Sequence, residues 1–311
     1  MARGGHVRRM RHILVIRLGA LGDFVLSFGP FAAIRARHPD ARITLLTTAP
    51  FAELARASPW FDAVALDARP PWWNLPALWR LSRRLRGFDF VYDLQTSGRS
   101  SRYFTLAGRP PWSGIARGCS HPHANPRRDS MHTFERQREQ LAMAGIVDFP
   151  LPDLSWLQGD ISRFALPARV ALLVPGAAPH RPEKRWPAEH YGRLAAILAA
   201  RGDTPVIVGS RAEAPLAAAI HALCPEAIDL IGRTRIADIA AIAAHARLSV
   251  GNDTGPMHLA AAMGCPSLVL FSADSDPART APRGPGGAPV AVLREANLAD
   301  LPAERVAACL P

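Results

Sequence analysis

The sequence predicts an α/β protein of two Rossmann-like doubly wound domains, each a parallel sheet with helices on both faces. Three observations predict it. Short β-rich runs alternate with amphipathic helical stretches through most of the chain. The alternation breaks between Asp148 and Pro167, where prolines interrupt and periodicity is lost. It then restarts. Repeated β–α units with short connections dictate parallel strands, and two such runs dictate two domains. These are expected at 1–155 and 168–311, with a linker at about 156–167. Such folds bind ligands at the carboxyl ends of their strands, so the cleft between the domains is the expected active site.

In the first run, His12–Arg17 (HILVIR) reads as a strand, followed by a glycine turn and a helix from about Asp23 to Arg37. Arg42–Thr48 is a second strand, Pro50–Ser58 a short helix and Ala63–Leu66 a third strand. Pro76–Arg86 reads as a helix, Phe90–Leu94 as a strand, residues 97–108 as helical, and a weaker strand lies near Gly114–Ala116. Ser130–Gly145 is a long polar helix with Ser130 as its N-cap. In the second run the strands are Val170–Val174, Pro205–Val208, Ile228–Ile231, Leu248–Val250 and Ser267–Phe271. The helices are Ala188–Ala200, Ala212–Leu223, Ile236–Ala246, Pro256–Met263 and Pro302–Leu310. The tract Arg283–Pro289 reads as a connection without chemistry.

Composition narrows the function classes. The chain has 311 residues, 49% of them hydrophobic and 20% charged, which suits a globular protein and not a disordered one. Of 37 basic residues only Lys184 is a lysine; the rest are arginine. Residues 1–150 carry 22 basic and 11 acidic side chains, whereas residues 151–311 carry 15 of each. The whole surplus of +11 therefore lies in the first half, which invites an anionic partner there. The four cysteines are scattered without zinc or disulfide spacing, so no metal site is indicated and a reducing cytoplasm is expected. The basic N-terminus before Ile13–Ile16 imitates a signal peptide, but Arg17 and Asp23 interrupt the apolar run. No stretch reaches the roughly 18 apolar residues that would span a bilayer.

Three motifs could carry chemistry. In Arg17–Asp23, Gly19 and Gly22 permit a tight turn and the close approach of a ligand, and Asp23 falls near a helix start. Asp23 is either a helix cap or a general base in the cleft, and spacing alone favours the cap. The glycines read GxxG, which is not a dinucleotide fingerprint. In Val174–Pro187, Gly176 turns the chain out of a strand, and Lys184 follows where a phosphate could be held. The alternative is a solvated basic loop, but a chain that uses arginine elsewhere has kept its lysine here. In Ser249–Gly264, Asp253, Thr254, Gly255 and His258 surround a strand-to-helix turn, with Pro256 expected at the first helical position. Free N–H groups there suit an anion. Asp253 and Thr254 could instead cap the helix, and His258 could be a buried core histidine.

With GALGD, PGA…KRWP and GNDTGPMHLAAAMGCPSLVLFSADSDPARTAP in this order from Ile13 to about Gly284, the chain resembles glycosyltransferase family 9, the ADP-heptose:lipopolysaccharide heptosyltransferases. The resemblance implies a GT-B fold, with the acceptor on the N-terminal domain and the nucleotide sugar on the C-terminal one. It implies inverting transfer without a bound metal or cofactor. It sets Asp23 at the catalytic base, reversing the reading from spacing, and Lys184 at the donor diphosphate. Asp253, Thr254, Gly255 and His258 match the donor-binding turn. Pro179 and His180 stand where some heptosyltransferases carry threonines, and SADSDP follows Phe271 where a glycine is frequent. Heptose and another sugar both remain open, as does a non-catalytic relative.

The implied acceptor, a lipid A–Kdo core, is anionic and lies at the inner face of the cytoplasmic membrane, which would account for the basic first half. Arg80, Arg83, Arg84 and Arg86 alternate with apolar residues next to Trp72 and Trp73. Such a helix either lies on a membrane surface or is the solvated face of an ordinary Rossmann helix. Nucleic acid is not an expected partner, because no helix-turn-helix, RNP or zinc pattern occurs. A nicotinamide-dependent dehydrogenase would need the missing GxGxxG.

Overall fold

The structure is a computed structural model that describes residues 10–178, 180–286 and 289–311. Most of the basic N-terminal stretch, Pro179 and the middle of the 283–289 tract therefore lie outside the described residues.

The first sheet is built from β1 (His12–Ile16), β2 (Arg42–Thr47), β3 (Ala63–Leu66), β4 (Phe90–Asp93), β5 (Trp112–Gly114) and β6 (His121–Pro122). The order is β3-β2-β1-β4-β5-β6, and every pair is parallel. The helices of this half of the chain are α1 (Leu21–Leu26), α2 (Phe28–Arg37), α3 (Ala52–Ala57), α4 (Leu75–Leu85), α5 (Gly98–Leu106) and α6 (Thr133–Met143). The second sheet holds β7 (Val170–Val174), β8 (Thr204–Ile207), β9 (Ile228–Asp229), β10 (Leu248–Asn252), β11 (Ser267–Phe271) and β12 (Val290–Arg294). It runs β12-β11-β10-β7-β8-β9, again all parallel. The remaining helices are α7 (Ala188–Ala200), α8 (Ala214–His221), α9 (Ile236–His245), α10 (Gly255–Ala262), α11 (Pro277–Thr280) and α12 (Ala303–Ala308).

Each sheet thus has the doubly wound order 3-2-1-4-5-6, counted within its own half. The strand order reverses between β1 and β4 in the first and between β7 and β10 in the second. Helices cover both faces, so β7 and β11 are buried at every position and read as continuous apolar runs. The first core gathers Leu14, Ile16, Val91, Tyr103 and Trp112; the second gathers Leu173, Trp186, Tyr191, Ile207 and Leu270. Among the described residues no helix is long and apolar enough to cross a membrane.

Packing divides the chain into two compact units that no single cut separates. The first holds the described residues up to Gly19, with Pro30–Asp129 and Glu135–Phe149. The second holds Ala20–Gly29, Ser130–Phe134 and Pro150–Pro311. Two short segments of the expected N-terminal domain, 20–29 and 130–134, therefore pack with the second half.

Several expectations are corrected. The helix expected from Asp23 to Arg37 starts at Leu21 and breaks at Ser27 into α1 and α2. Ser27 Oγ donates to the Asp23 carbonyl at 2.8 Å, a back-bond that bends helices, and Pro30 cannot continue the helical ladder. Ser130 is not the cap of α6; it ends a 3-10 turn, Arg128–Ser130, and the helix begins at Thr133. The edge strands β6 and β12 were not expected. The first is two residues with a proline, and the second is only partly buried, so neither has a strand's pattern.

Candidate functional site

The site is built at the reversal point of the second sheet, where β7 and β10 lie side by side and their carboxyl ends release two loops. Asn252, the last residue of β10, is fully buried and ties these loops together. Its Nδ2 donates to the carbonyls of Pro175 at 2.8 Å and Gly176 at 3.2 Å, and its Oδ1 accepts from the Trp186 N–H at 3.0 Å. One amide therefore holds both ends of the segment 175–186. Trp186 is locked in turn, with its Nε1 donating to the Leu301 carbonyl at 2.8 Å and its ring edge-on to Tyr191.

Between these anchors Lys184 closes a 3-10 turn, Pro182–Lys184, and turns inward. Its Nζ lies 2.5 Å from Asp253 Oδ2, and the two side chains are 11% and 6% exposed. Residues 180–183 of the loop are exposed, but Lys184 is not on the solvated side. The chain's one lysine is half of a buried ion pair, an arrangement in which either partner alone would be strongly unfavourable.

The turn after Asp253 starts α10. Thr254 occupies the N-cap position without a side-chain cap bond, and Pro256 falls at the second helical position, not the first. The cap readings of both acidic motif residues are overturned. Asp253 is engaged by Lys184, and Asp23 is the third residue of α1, whose N-cap is Ala20. Two glycines explain how Asp23 reaches this region. A Cβ on Gly22 would come within 2.7 Å of the His258 ring, and one on Gly255 within 2.6 Å of Leu21. Each helix thus offers the other a residue without a side chain, and α1 packs closely on α10. The carboxylate of Asp23 accepts the Thr133 hydroxyl at 3.2 Å.

His258 lies inside this group and is 4% exposed. Burial pushes its pKa down to about 4, opposed by the charges of Asp253 and Asp23 and reinforced by that of Lys184. At neutral pH it is an uncharged imidazole held between charged neighbours.

Beside these residues the second unit has a cavity of about 360 Å³, within the range of small-ligand pockets. Gly176, Ala177, Glu213, Ile239, Thr254 and Pro256 are among its walls. Glu213 Oε2 accepts from Ser210 N at 2.6 Å and Ser210 Oγ at 3.0 Å. A Cβ on Gly176 would overlap Glu213 Oε1, so the carboxylate rests against the bare backbone there and would have to move to admit a side chain. An inward lysine at the end of a loop anchored at both ends, a nucleotide-sized cavity and an aspartate carried in from another motif suit a phosphorylated substrate and proton transfer.

Residues 78–304 match the profile of Glycosyltransferase family 9 (heptosyltransferase). The chain is 34% identical over 295 residues to Lipooligosaccharide heptosyltransferase 2 of Haemophilus influenzae, covering 85% of this chain and 84% of that one. The chain belongs to glycosyltransferase family 9. Its fold is shared by E. coli ADP-heptose LPS heptosyltransferase II, at TM-score 0.77, 24% identity and coverage of 95% of this chain and 96% of that one. E. coli heptosyltransferase WaaC with ADP-2-deoxy-2-fluoro heptose has TM-score 0.73 and 22% identity, covering 96% of this chain and 98% of that one. The fold is therefore GT-B, and this family 9 chain is a transferase.

In this family 9 chain the second unit contains Asp23, Gly22, Gly176, Lys184, Asp253, Thr254, Gly255 and His258. Gly19 belongs to the first unit, with φ +124 and the Phe51 ring against the space a Cβ would take. The tryptophan pair divides. Trp72 is partly buried, with the guanidiniums of Arg99 and Arg102 at 4.8 and 4.9 Å from its ring centre, so it is not part of an exposed face. Trp73 is 83% exposed and, with Leu75 at 71% and Trp79 at 60%, forms an outward apolar group. Helix α4 buries Leu81 and Leu85 and leaves Arg80, Arg83 and Arg84 outside, Arg83 stacking over Trp79.

Four site residues were missed in the sequence. Glu213 was hidden in a Ser-x-x-Glu capping pattern, which reads as structure. Asn252 stood inside a motif whose charged neighbours drew the chemistry. His132 and Thr133 stood at the start of an apparently ordinary helix.

Proposed function

We propose that the chain transfers a heptose from an ADP-heptose donor to a lipopolysaccharide inner-core acceptor, with inversion and with Asp23 as general base. The observation that carries this reading is the convergence of Asp23, the Lys184–Asp253 pair and His258 beside a nucleotide-sized cavity. The names of the relatives, heptosyltransferases and an ADP-sugar complex among them, supply the sugar and the nucleotide.

In this mechanism the adenosine occupies the cavity, where the Glu213 carboxylate suits ribose hydroxyls. The diphosphate meets Lys184 and the N–H groups at the start of α10. Lys184 then exchanges a carboxylate partner for a phosphate one. An acceptor hydroxyl attacks the anomeric carbon and gives its proton to Asp23. The new C–O bond forms as the bond to the diphosphate breaks, and the leaving electron pair goes to ADP. Fixed N–H donors and one ammonium stabilise that charge without a metal, so chelators should leave the rate unchanged. The acceptor is an anionic lipid A–Kdo type molecule. The basic first half and the Trp73–Trp79 face of α4 support peripheral attachment at the cytoplasmic side of the membrane.

The test is transfer from ADP-heptose to Kdo-bearing lipid A, with other nucleotide sugars offered in parallel. Asp23→Ala should lower the rate by about 10²–10⁴-fold while ADP affinity, measured by calorimetry, stays near that of the parent. Faster turnover of a different nucleotide sugar would replace the heptose assignment. Joint loss of transfer and ADP binding in Asp23→Ala would make Asp23 structural.

A further inference from the structure

We propose that Thr133 is a positioning residue for the Asp23 carboxylate, and that His132 fixes Thr133 in place. The inference rests on the reading of Asp23 as general base.

A carboxylate at the end of a short side chain has a broad preference about its last torsion, so an aspartate needs a partner to hold one orientation. Thr133 provides it. Its hydroxyl donates to Asp23 Oδ1 at 3.2 Å across 110 residues of sequence. Thr133 is the first residue of α6 and is 4% exposed. At a helix start a threonine hydroxyl commonly serves its own helix, but this one reaches Asp23. The branched side chain is stiff about its first torsion, so its direction follows from the backbone beneath it.

His132 sets that backbone. Its Nδ1 accepts the Phe134 N–H at 3.1 Å, and its Nε2 lies 2.9 Å from the Ala281 carbonyl. An acceptor at one nitrogen and a carbonyl at the other require the neutral ring with its proton on Nε2. The ring therefore pins residues 132–134 to the segment before Pro282, and Arg283 stacks over the Phe134 ring at 5.7 Å. This matches the grouping of Ser130–Phe134 with the second unit, where Asp23 also lies, while α6 from Glu135 onward belongs to the first.

The Thr133 bond therefore orients one oxygen of the Asp23 carboxylate. Asp23, Asp253, His132 and Lys184 all lie close enough to His258 to act on it electrostatically.

The experiment compares Thr133→Val, Thr133→Ser and Asp23→Asn in steady-state transfer from ADP-heptose to Kdo-bearing lipid A. ADP affinity is measured on each. Thr133→Val should lower kcat about tenfold and leave the donor KM within about twofold of the parent. Thr133→Ser should restore kcat. If Thr133→Val loses ADP binding, Thr133→Ala is measured in its place. Unchanged kcat in the valine or alanine variant, with Asp23→Asn inactive, would overturn the positioning role alone. An active Asp23→Asn would overturn the base and, with it, this inference.

Discussion

The two sheets share one topology, yet their reversal points are finished differently. In the first, the loop after β1 is laced to its neighbours by hydrogen bonds of its backbone. Leu18 N–H donates to Gln95 Oε1 at 2.7 Å, and its carbonyl accepts from Thr48 Oγ1 at 3.1 Å and Arg69 Nη2 at 2.8 Å. Arg69 and Thr96 adopt φ of 49 and 43, a conformation costly for such residues. The side chains of Asp67 and Asp93 stabilise these turns by accepting their N–H groups. Burial pushes Asp93 up to about 6, against hydrogen bonds from Thr96, Ser100 and Gln95 and the charge of Arg17. In the second, the reversal point holds a buried ion pair, a neutral histidine and a cavity. A scaffold repeated in one chain does not repeat its chemistry; the loops at the strand ends set it.

This contrast can be broken at its most charged point first. Lys184→Met leaves Asp253 buried without its ammonium and should destabilise the second unit by about 3–5 kcal/mol, read by chemical denaturation. Adding Asp253→Leu should return much of that stability while ADP binding stays lost. A double variant no more stable than the single would mean that the pair matters for more than charge balance.

The next effect is pH-dependent. The pKa of His258 falls from 6.5 to about 4 on folding, so its contribution to stability is present above pH 6.5 and is lost as pH falls towards 4. Across that window the parent should lose up to about 3 kcal/mol that His258→Gln does not lose. Thermal unfolding of the two proteins at pH 7 and 4.5 measures the difference. A constant gap would remove the histidine from the acid response.

The smallest expected effect on stability is in the first unit. Trp73→Ser with Trp79→Ser removes exposed rings and should change stability by less than about 0.5 kcal/mol. ADP affinity should also be unchanged. Co-sedimentation with vesicles containing phosphatidylglycerol should nevertheless fall, most visibly at low salt. Undiminished sedimentation would leave the membrane face elsewhere among the arginines.

Much of this was legible in the sequence. Central strands such as Val170–Val174 and Ser267–Phe271 were found at their observed limits, because burial on both faces makes them continuous apolar runs. The second and third motifs were each placed at the end of a strand, and the lone lysine was recognised as unusual. The partner of that lysine was not legible, since Lys184 and Asp253 lie 69 residues apart and charge alone does not choose among carboxylates. Nor was the break at Ser27, because a serine back-bond is a local event that apolar periodicity does not register. The close packing of α1 on α10 left only a faint trace, the glycines at 22 and 255, whose purpose depends on residues far away.

Asn252 has a consequence for the thermodynamics of ligand capture. A loop whose two ends are free must surrender chain entropy each time a ligand orders it. The segment 175–186 has surrendered the entropy of its ends during folding, because one buried amide holds Pro175, Gly176 and Trp186 together. What remains for a diphosphate to order is the lysine side chain and the short turn that carries it. Calorimetry on the parent protein should therefore record only a small conformational penalty for nucleotide binding, and replacing Asn252 should enlarge that penalty before it weakens any direct contact.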